Sequence, residues 1–441
     1  MINLKKKQIF LINKTKNFIK IKIKKTKVSN PSLYFSTFGL SVGYLNLLMW
    51  IKNKKLSFLL LCTFIKNFFS IGFLSDFYIK KDHRFKNIKY DSLIISWIDY
   101  GQKINRFYKD KYFNLEVNNS KNSCFFYIGT KENSKILPNS VIISPGIKKF
   151  NLFFFLKIIF NFLKSNKFNF LRLNELNSTN IYAEILFEAI RNNIDLKKIK
   201  KVFVPYEGQP HQNYILFNIK KINNKLITIG YVHAGLPALP TNYIKRKGHP
   251  DKILVNGISQ KEIMHKFLGW KNTDIILTPS LRFNNTNICR KSGIYLPIFL
   301  DNLKLTTIFE DFLKLFQNKK LYPLKIFNHP STKESNIHLE FIKRLKITLK
   351  KYKNLFSKKE KNNKYLICFG PTSSPLLFLE GKNKVFHITE RAEFDIFCLG
   401  YSNYIELKKI NNFVYQYHIK KFNTLINTLK FNFKVNHVLS N

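Results

Sequence analysis

Short apolar runs bounded by turn residues recur along most of the chain. Ser92-Leu93-Ile94-Ile95-Ser96-Trp97, Cys124-Phe125-Phe126-Tyr127-Ile128 and Val141-Ile142-Ile143 have the length and unbroken hydrophobicity of strands buried on both faces. From residue 200 the runs alternate with helical stretches. Strands are expected at 201–205, 226–233, 252–257 and 274–279, and helices at 212–222 and 259–268, the latter capped by Ser259. Alternation at this spacing predicts βαβ units and a parallel sheet covered by helices. The polar stretch 282–292, rich in Asn and Thr, reads as a hinge. Beyond it the pattern restarts, with strands at 293–297, 324–327, 365–370 and 385–388 and helices at 307–316 and 337–356. The expected fold is therefore α/β, with two Rossmann-like domains, 1–285 and 286–441, facing one another across a cleft, the second closed by a C-terminal helix. Residues 1–90 do not fit this rhythm.

Two stretches are apolar enough to raise the question of a membrane span. Residues 32–51 carry no charge, and residues 56–75 carry only Lys66. A span needs about 20 mainly apolar residues, yet the first is interrupted by Ser32, Ser36, Thr37, Ser41 and Asn46, and the second by Lys66-Asn67. Both are expected as buried helices of an α/β domain. The basic N-terminus is not followed by a compact apolar stretch and a small-residue cleavage site, so a cytoplasmic location is expected, with room for peripheral contact with an anionic membrane. Cys62, Cys124, Cys289, Cys368 and Cys398 form no Cys-x-x-Cys pair, which argues for a reducing compartment and against a structural metal site.

Charge changes this picture less than its size suggests. The 441 residues include 75 Lys+Arg against 26 Asp+Glu, a net charge of +49, which suits phosphate neutralisation. Lys, Asn, Ile and Phe are nevertheless abundant throughout, as in a coding sequence drifting toward A and T, and no nucleic-acid-binding motif accompanies them. No specific nucleic-acid partner is expected. A chain that is 15% aromatic has the material for a folded core. There is no Asp-x-Asp pair, Gly-x-Gly-x-x-Gly, phosphate-loop Gly-Lys-Ser/Thr or His-Glu-x-x-His. Metal-dependent sugar transfer, dinucleotide redox chemistry, P-loop ATP hydrolysis and zinc proteolysis lose support.

Candidate chemistry gathers at the carboxyl ends of the expected strands, where ligands bind in open α/β sheets. Glu207, just before Gly208, has the position of a general base, with helix capping as the competing role. His233 ends the next strand and suits acid/base work or a grip on a substrate oxygen, against a purely loop-closing role. His211 and Gln212 follow Glu207 closely enough to join it. In the second half, His329-Pro330 follows a strand and could hold a phosphate oxygen. Thr372-Ser373-Ser374 reads as a turn into a helix, with Ser374 at the N-cap, Pro375 at the first helical position, and free amides and hydroxyls for an anion. Arg282 offers a planar fork for phosphate or carboxylate, with a plain surface arginine as the alternative.

Several of these stretches resemble a known group. Tyr206-Glu207-Gly208-Gln209-Pro210, Gly230-Tyr231-Val232-His233, Lys252-Ile253-Leu254-Val255-Asn256-Gly257 and Thr278-Pro279-Ser280-Leu281-Arg282-Phe283 resemble surface-carbohydrate (O-antigen or capsule) biosynthesis proteins, which are glycosyltransferase-like with a GT-B fold. Glu207-Gly208, His329-Pro330 and Thr372-Ser373-Ser374, in this order, are similar to the signatures of bacterial GT-B sialyltransferases and polysialyltransferases, although Tyr206 stands where those enzymes carry a second acid. The resemblance implies a metal-independent transferase without a cofactor. Its donor would be a nucleotide sugar, with a CMP-activated nonulosonic acid among the candidates, and its acceptor a glycan or lipid-linked glycan. Glu207 would be the base, His329 would hold the donor phosphate, and Ser373 or Ser374 would bind phosphate or carboxylate. Two alternatives remain: a CDP-polyol phosphotransferase of cell-surface polymer synthesis, and a non-catalytic basic protein that binds nucleic acid or membrane.

Overall fold

Most of the apolar runs form strands, and the stretches between them form the helices that cover the sheets. In the computed structural model, residues 2–26, 58–82, 90–98, 102–104, 107–117, 122–129, 137–146, 149–165, 176–281, 293–297, 303–315, 324–329, 335–355, 365–381 and 383–426 are described. The first part of the chain runs α1 (Ile2–Thr26), α2 (Phe58–Phe69), a 3-10 turn (Ser70–Phe73), β1 (Phe77–Lys81), β2 (Ser92–Trp97), β3 (Gln102–Ile104), β4 (Phe107–Asp110), β5 (Leu115–Glu116), β6 (Ser123–Ile128) and β7 (Ser140–Pro145). It continues with α3 (Leu152–Ser165), α4 (Ser178–Asn193), β8 (Lys201–Pro205), α5 (Pro210–Ile222), β9 (Ile227–Tyr231), β10 (Lys252–Val255), α6 (Ile258–Leu268) and β11 (Ile275–Leu277). The rest comprises β12 (Gly293–Tyr295), α7 (Lys304–Lys314), β13 (Lys325–Phe327), α8 (Asn336–Lys351), β14 (Tyr365–Phe369), α9 (Ser374–Glu380), β15 (Lys384–Ile388), α10 (Ala392–Asp395), β16 (Ile405–Lys409) and β17 (Val414–Ile419).

The architecture is α/β with two mixed sheets. Eight strands in the order β1-β7-β6-β2-β8-β9-β10-β11 form one, and six in the order β13-β12-β14-β15-β17-β16 form the other; β3, β4 and β5 make a small third sheet. In the first, every pairing is parallel except that of β1, an antiparallel edge strand, with β7. β2 and β6 are apolar almost throughout and buried, as strands covered on both faces must be. In the second, β13, β12, β14 and β15 are parallel, and β17 and β16 continue the sheet antiparallel. Residues 405–419 thus form a strand pair in the part of the chain where a closing helix was expected, and residues 427–441 lie outside the described residues.

The two sheets share one core. Leu93, Val202 and Ile253 of the first belong to the same apolar cluster as Leu366, Val385 and Tyr417 of the second, joined through Leu236, Leu376 and Tyr401. The junction is tight at Gly235, where a Cβ would lie 2.6 Å from Leu376 Cδ1. Close by, the Tyr401 hydroxyl donates to the Leu236 carbonyl at 3.2 Å. Gly235 follows β9 and Leu376 lies in α9, just after β14, so the carboxyl edges of the two sheets meet there.

Helix α1 joins this core as well. Gln8, Leu11, Ile12, Thr15 and Ile19 are buried at helical spacing. Gln8 Nε2 donates to the Ile396 carbonyl at 2.7 Å, and Cys398 Sγ donates to Gln8 Oε1 at 3.1 Å. The stripe escaped the sequence reading because two of its five members are polar. Other expectations are corrected too. In α2 the side chains of Cys62, Ile65, Lys66 and Phe69 are exposed, where burial was expected, while residues 32–51 lie outside the described residues. No helix among the described residues is long and apolar enough to cross a membrane. The N-cap of α6 is Gly257, one residue before the helix begins, and Ser259 is already helical. A Cβ on Gly257 would lie 2.1 Å from the Leu425 carbonyl oxygen, so the chain turns where only glycine fits.

Candidate functional site

β8 buries Val202, Phe203 and Val204 and delivers Tyr206, Glu207 and Gly208 to its carboxyl end. Gly208 is left-handed at φ +68, and a Cβ there would meet the Asn242 carbonyl oxygen at 2.5 Å, so the loop after Glu207 requires glycine. The helix that follows starts with Gln209 at the N-cap and Pro210 in the first turn. Gln212 holds the loop from inside that turn. Its Oε1 accepts the amides of Glu207 at 3.0 Å and Gln209 at 3.1 Å, and its Nε2 donates to the Pro205 carbonyl at 2.6 Å. The N-cap of α5 is therefore Gln209, and Gln212 is a positioning residue rather than a cleft-facing one.

The two oxygens of the Glu207 carboxylate meet different side chains. Gln209 Nε2 donates to Oε2 at 2.6 Å, while Oε1 lies 3.3 Å from His233 Nε2. The side chain of Glu207 remains 39% exposed, whereas that of His233 is 7% exposed. His233 follows β9, the strand beside β8, and its ring meets Tyr112 edge-on with centroids 4.6 Å apart. Tyr112 is held in turn by Asp110, whose Oδ1 accepts the amides of Tyr112 and Phe113 at 2.9 Å each. Burial raises the Asp110 pKa, against the pull of the Ser96 hydroxyl and these amides. The arrangement is a reachable carboxylate, fixed on one oxygen and facing an imidazole with the other.

Below this pair the layer is buried and polar. The Tyr206 hydroxyl donates to Asn213 Oδ1 at 2.6 Å, and the Tyr243 hydroxyl donates to the Tyr206 carbonyl at 3.3 Å. Burial, with the Glu207 charge adding to it, holds the Tyr243 phenol neutral far above its usual range. His249 packs edge-on against Tyr206 at 5.6 Å; burial and the adjacent Arg246 and Lys245 cations keep it neutral. His211 sits between Trp97 and Tyr182, with ring centroids 5.8 Å and 6.0 Å away. Burial lowers its pKa to about 4, although Glu207 pulls the other way, so it is a neutral wall of the site and not a second acid. Among the described residues no group of three or more metal-ligating side chains is assembled.

No protein-family model and no curated protein sequence matches this chain. Its functional reading rests on the site itself.

The remaining candidates lie on the second sheet. His329 is half-buried just beyond β13, and Thr372, Ser373 and Ser374 follow β14. Both sets occupy the carboxyl edge of the parallel strands, but β12 separates β13 from β14, which places them about 10 Å apart. The N-cap of α9 is Ser373, not Ser374, with Ser374 already helical. The Ser374 amide donates to Thr372 Oγ1 at 3.2 Å, so the threonine satisfies the turn. Arg282 and Pro330 lie outside the described residues. The structure thus pairs Glu207 with His233 and puts the Thr372–Ser374 turn on the edge that meets theirs at Gly235 and Leu376. Sequence reasoning missed Gln209, Asp110 and Tyr112. A capping-box pattern at Gln209 and Gln212 and an Asx-turn beginning at Asp110 were the available signals.

Proposed function

We propose that this protein is a glycosyltransferase of GT-B organisation, moving a sugar from a nucleotide donor to a surface-glycan acceptor. The observation that carries this reading is the pairing of Glu207 with His233 at 3.3 Å, on adjacent strand ends, where the two sheets meet. In this mechanism the acceptor hydroxyl gives its proton to Glu207 Oε1 as its oxygen bonds to the anomeric carbon. The bond from that carbon to the donor phosphate oxygen breaks, and the nucleotide leaves with the electron pair. Gln209 holds the other carboxylate oxygen, so the base presents one oxygen in a fixed direction. His233 stabilises the pair and orients the incoming hydroxyl. On the facing sheet, His329 and the hydroxyls and amides of Thr372, Ser373 and Ser374 offset charge on the departing phosphate. A CMP-linked nonulosonic acid is the donor we favour, from the order of the Glu-Gly, His-Pro and Thr-Ser-Ser elements along the chain.

Incubation of the purified protein with CMP-, UDP- and GDP-sugars, followed by assay of free nucleotide, tests this reading. Release is expected from one nucleotide class and most readily from CMP donors. Lack of release from all three contradicts it. A phosphodiester-linked product would instead identify a polyol-phosphate transferase. Steeply salt-dependent binding to DNA or RNA without any turnover would identify a basic binding protein.

A further inference from the structure

Helix α3 has a broad apolar face and a narrow polar one, on which Lys157, Asn161 and Lys164 stand at i, i+4 and i+7. Phe155 is buried on one side and joins a cluster with Ile71, Leu176 and Ile181, with Ile158, Ile159 and Phe162 packed against it. Between that buried side and the polar face, Phe153, Leu156, Phe160 and Leu163 form a stripe at helical spacing, and all are exposed, Phe153 at 86% and Phe160 at 64%. The stripe does not stand alone. Phe69, at the end of α2, stacks on Phe155 with centroids 6.0 Å apart, and Phe73 meets Phe150 at 5.4 Å. Ile65, Phe69, Phe73 and Phe150 are themselves exposed, so α2 and the 3-10 turn add exposed apolar side chains along the Phe155 side of α3. The close approach is built in: a Cβ on Gly72 would lie 2.2 Å from the Phe150 ring.

A helix with an exposed apolar stripe beside a basic face has the pattern of one that lies in a membrane interface. At 14 residues α3 is about 21 Å long, too short to span a bilayer. Charge selects among the remaining occupants. Lys66, Lys149, Lys157 and Lys164 are exposed around the aromatic surface. The chain has no Asp or Glu before Asp76 and none from 147 to 174, so every charged residue in the sequence segments that build this surface is basic. Apolar side chains bordered by exposed lysines, with the acid Asp76 just beyond the 3-10 turn, match a bilayer surface with anionic headgroups.

We propose that the α2–α3 surface docks the protein on an anionic membrane, with Phe153, Leu156 and Phe160 in the acyl boundary and the lysines at the headgroups. The geometry also connects this surface to the candidate site. β1 begins opposite the carboxyl end of β7, with Phe77 paired to Pro145, so the surface lies on the same edge of the sheet as Glu207 and His233. Phe77 meets Tyr182 at 5.9 Å, Tyr182 meets His211 at 6.0 Å, and His211 feels the Glu207 charge. Docking would therefore turn the carboxyl edge toward the bilayer, where a lipid-linked molecule is presented. The docking itself stands apart from the glycosyl-transfer reading and needs no nucleotide.

The test is flotation of the full-length protein with phosphatidylcholine vesicles and with vesicles in which about a third of the lipid is phosphatidylglycerol. Binding to the anionic vesicles is expected, with loss of roughly tenfold or more per aromatic side chain in Phe153→Ser/Phe160→Ser. Lys157→Glu/Lys164→Glu should weaken it at least about fivefold per lysine and remove its salt dependence in part. Both double variants alter exposed positions, and unchanged urea unfolding confirms that they fold. A Phe153→Trp variant reads immersion directly, through a blue shift on vesicles and quenching by brominated acyl chains. Absence of vesicle binding overturns the proposal, as does binding by Phe153→Ser/Phe160→Ser at the wild-type level, which would assign it to scattered lysines. A wild-type dimer that becomes monomeric in that variant with vesicle binding intact would assign the surface to a second copy.

Discussion

Glu207 Oε1 lies 3.3 Å from His233 Nε2 across the gap between two adjacent strand ends, and Gln209 anchors the other carboxylate oxygen at 2.6 Å. One oxygen is fixed by the helix that follows and the other is presented beside an imidazole. In glycosyl transfer, general-base catalysis contributes about 10²–10⁴-fold. Glu207→Gln should lower kcat by that factor and leave the unfolding free energy within about 0.5 kcal/mol of wild type, because the carboxylate is partly exposed. Steady-state kinetics beside equilibrium unfolding checks both.

Gln212 acts on the same carboxylate at one remove. Gln212→Ala would strip an acceptor from the Glu207 and Gln209 amides and a donor from the Pro205 carbonyl. A loss of stability of about 1–3 kcal/mol is expected. The Glu207 loop should also loosen, with faster amide exchange at Glu207 and Gln209 than at the core of β8, as hydrogen exchange would show.

The junction between the sheets is tested at Gly235. Gly235→Ala places a methyl 2.6 Å from Leu376 Cδ1 and should destabilise the protein by about 1–3 kcal/mol. Because the clash is with the far end of one flexible side chain, Leu376→Ala in the same chain should relieve it. Urea unfolding of both single variants and the double variant should give a coupling of about 0.5–3 kcal/mol. Strict additivity would contradict the packed junction.

How much of this was legible beforehand differs from one part of the molecule to another. β2, β6, β8 and β14 were readable because strands buried on both faces leave unbroken apolar runs, and βαβ spacing then implied parallel sheets. The placement of Glu207 and His233 at strand ends was readable because each directly follows an apolar run. Helix α1 was hidden because Gln8 and Thr15 occupy its buried stripe, where their polar groups find backbone or side-chain partners in the fold. Gln209 was hidden because a capping glutamine looks the same whether or not it also holds a carboxylate. The exposure of Ile65 and Phe69 in α2 was beyond the sequence: a run of Phe and Leu reads identically in a core and on a surface.

Three buried histidines, His211, His249 and His387, are held neutral by the fold and shape the acid side of the stability profile. His211 and His387 are lowered from 6.5 to about 4, in each case chiefly by burial. His387 Nε2 donates to the Gly370 carbonyl at 2.6 Å and Nδ1 accepts the Tyr417 hydroxyl at 3.1 Å, so its neutral form is built into the second sheet. Between those two pH values the unfolded chain binds protons that the native state refuses. Stability from both residues is therefore complete above pH 6.5 and declines as pH falls toward 4, by up to roughly 1.4 kcal/mol per pH unit for each. With His249 contributing alongside them, His387→Gln should remove about a third of the histidine slope in urea unfolding measured across the range.

The central claim is that Glu207 takes the acceptor proton in a glycosyl transfer. Its most direct test is product formation from a CMP-activated sugar and a glycan acceptor, followed by mass spectrometry in wild type, Glu207→Gln and His329→Ala. A glycosylated product with stoichiometric CMP release in wild type, reduced about 100-fold or more in Glu207→Gln, is the predicted result. Wild-type rates in both variants, or no product from any nucleotide donor, would contradict it.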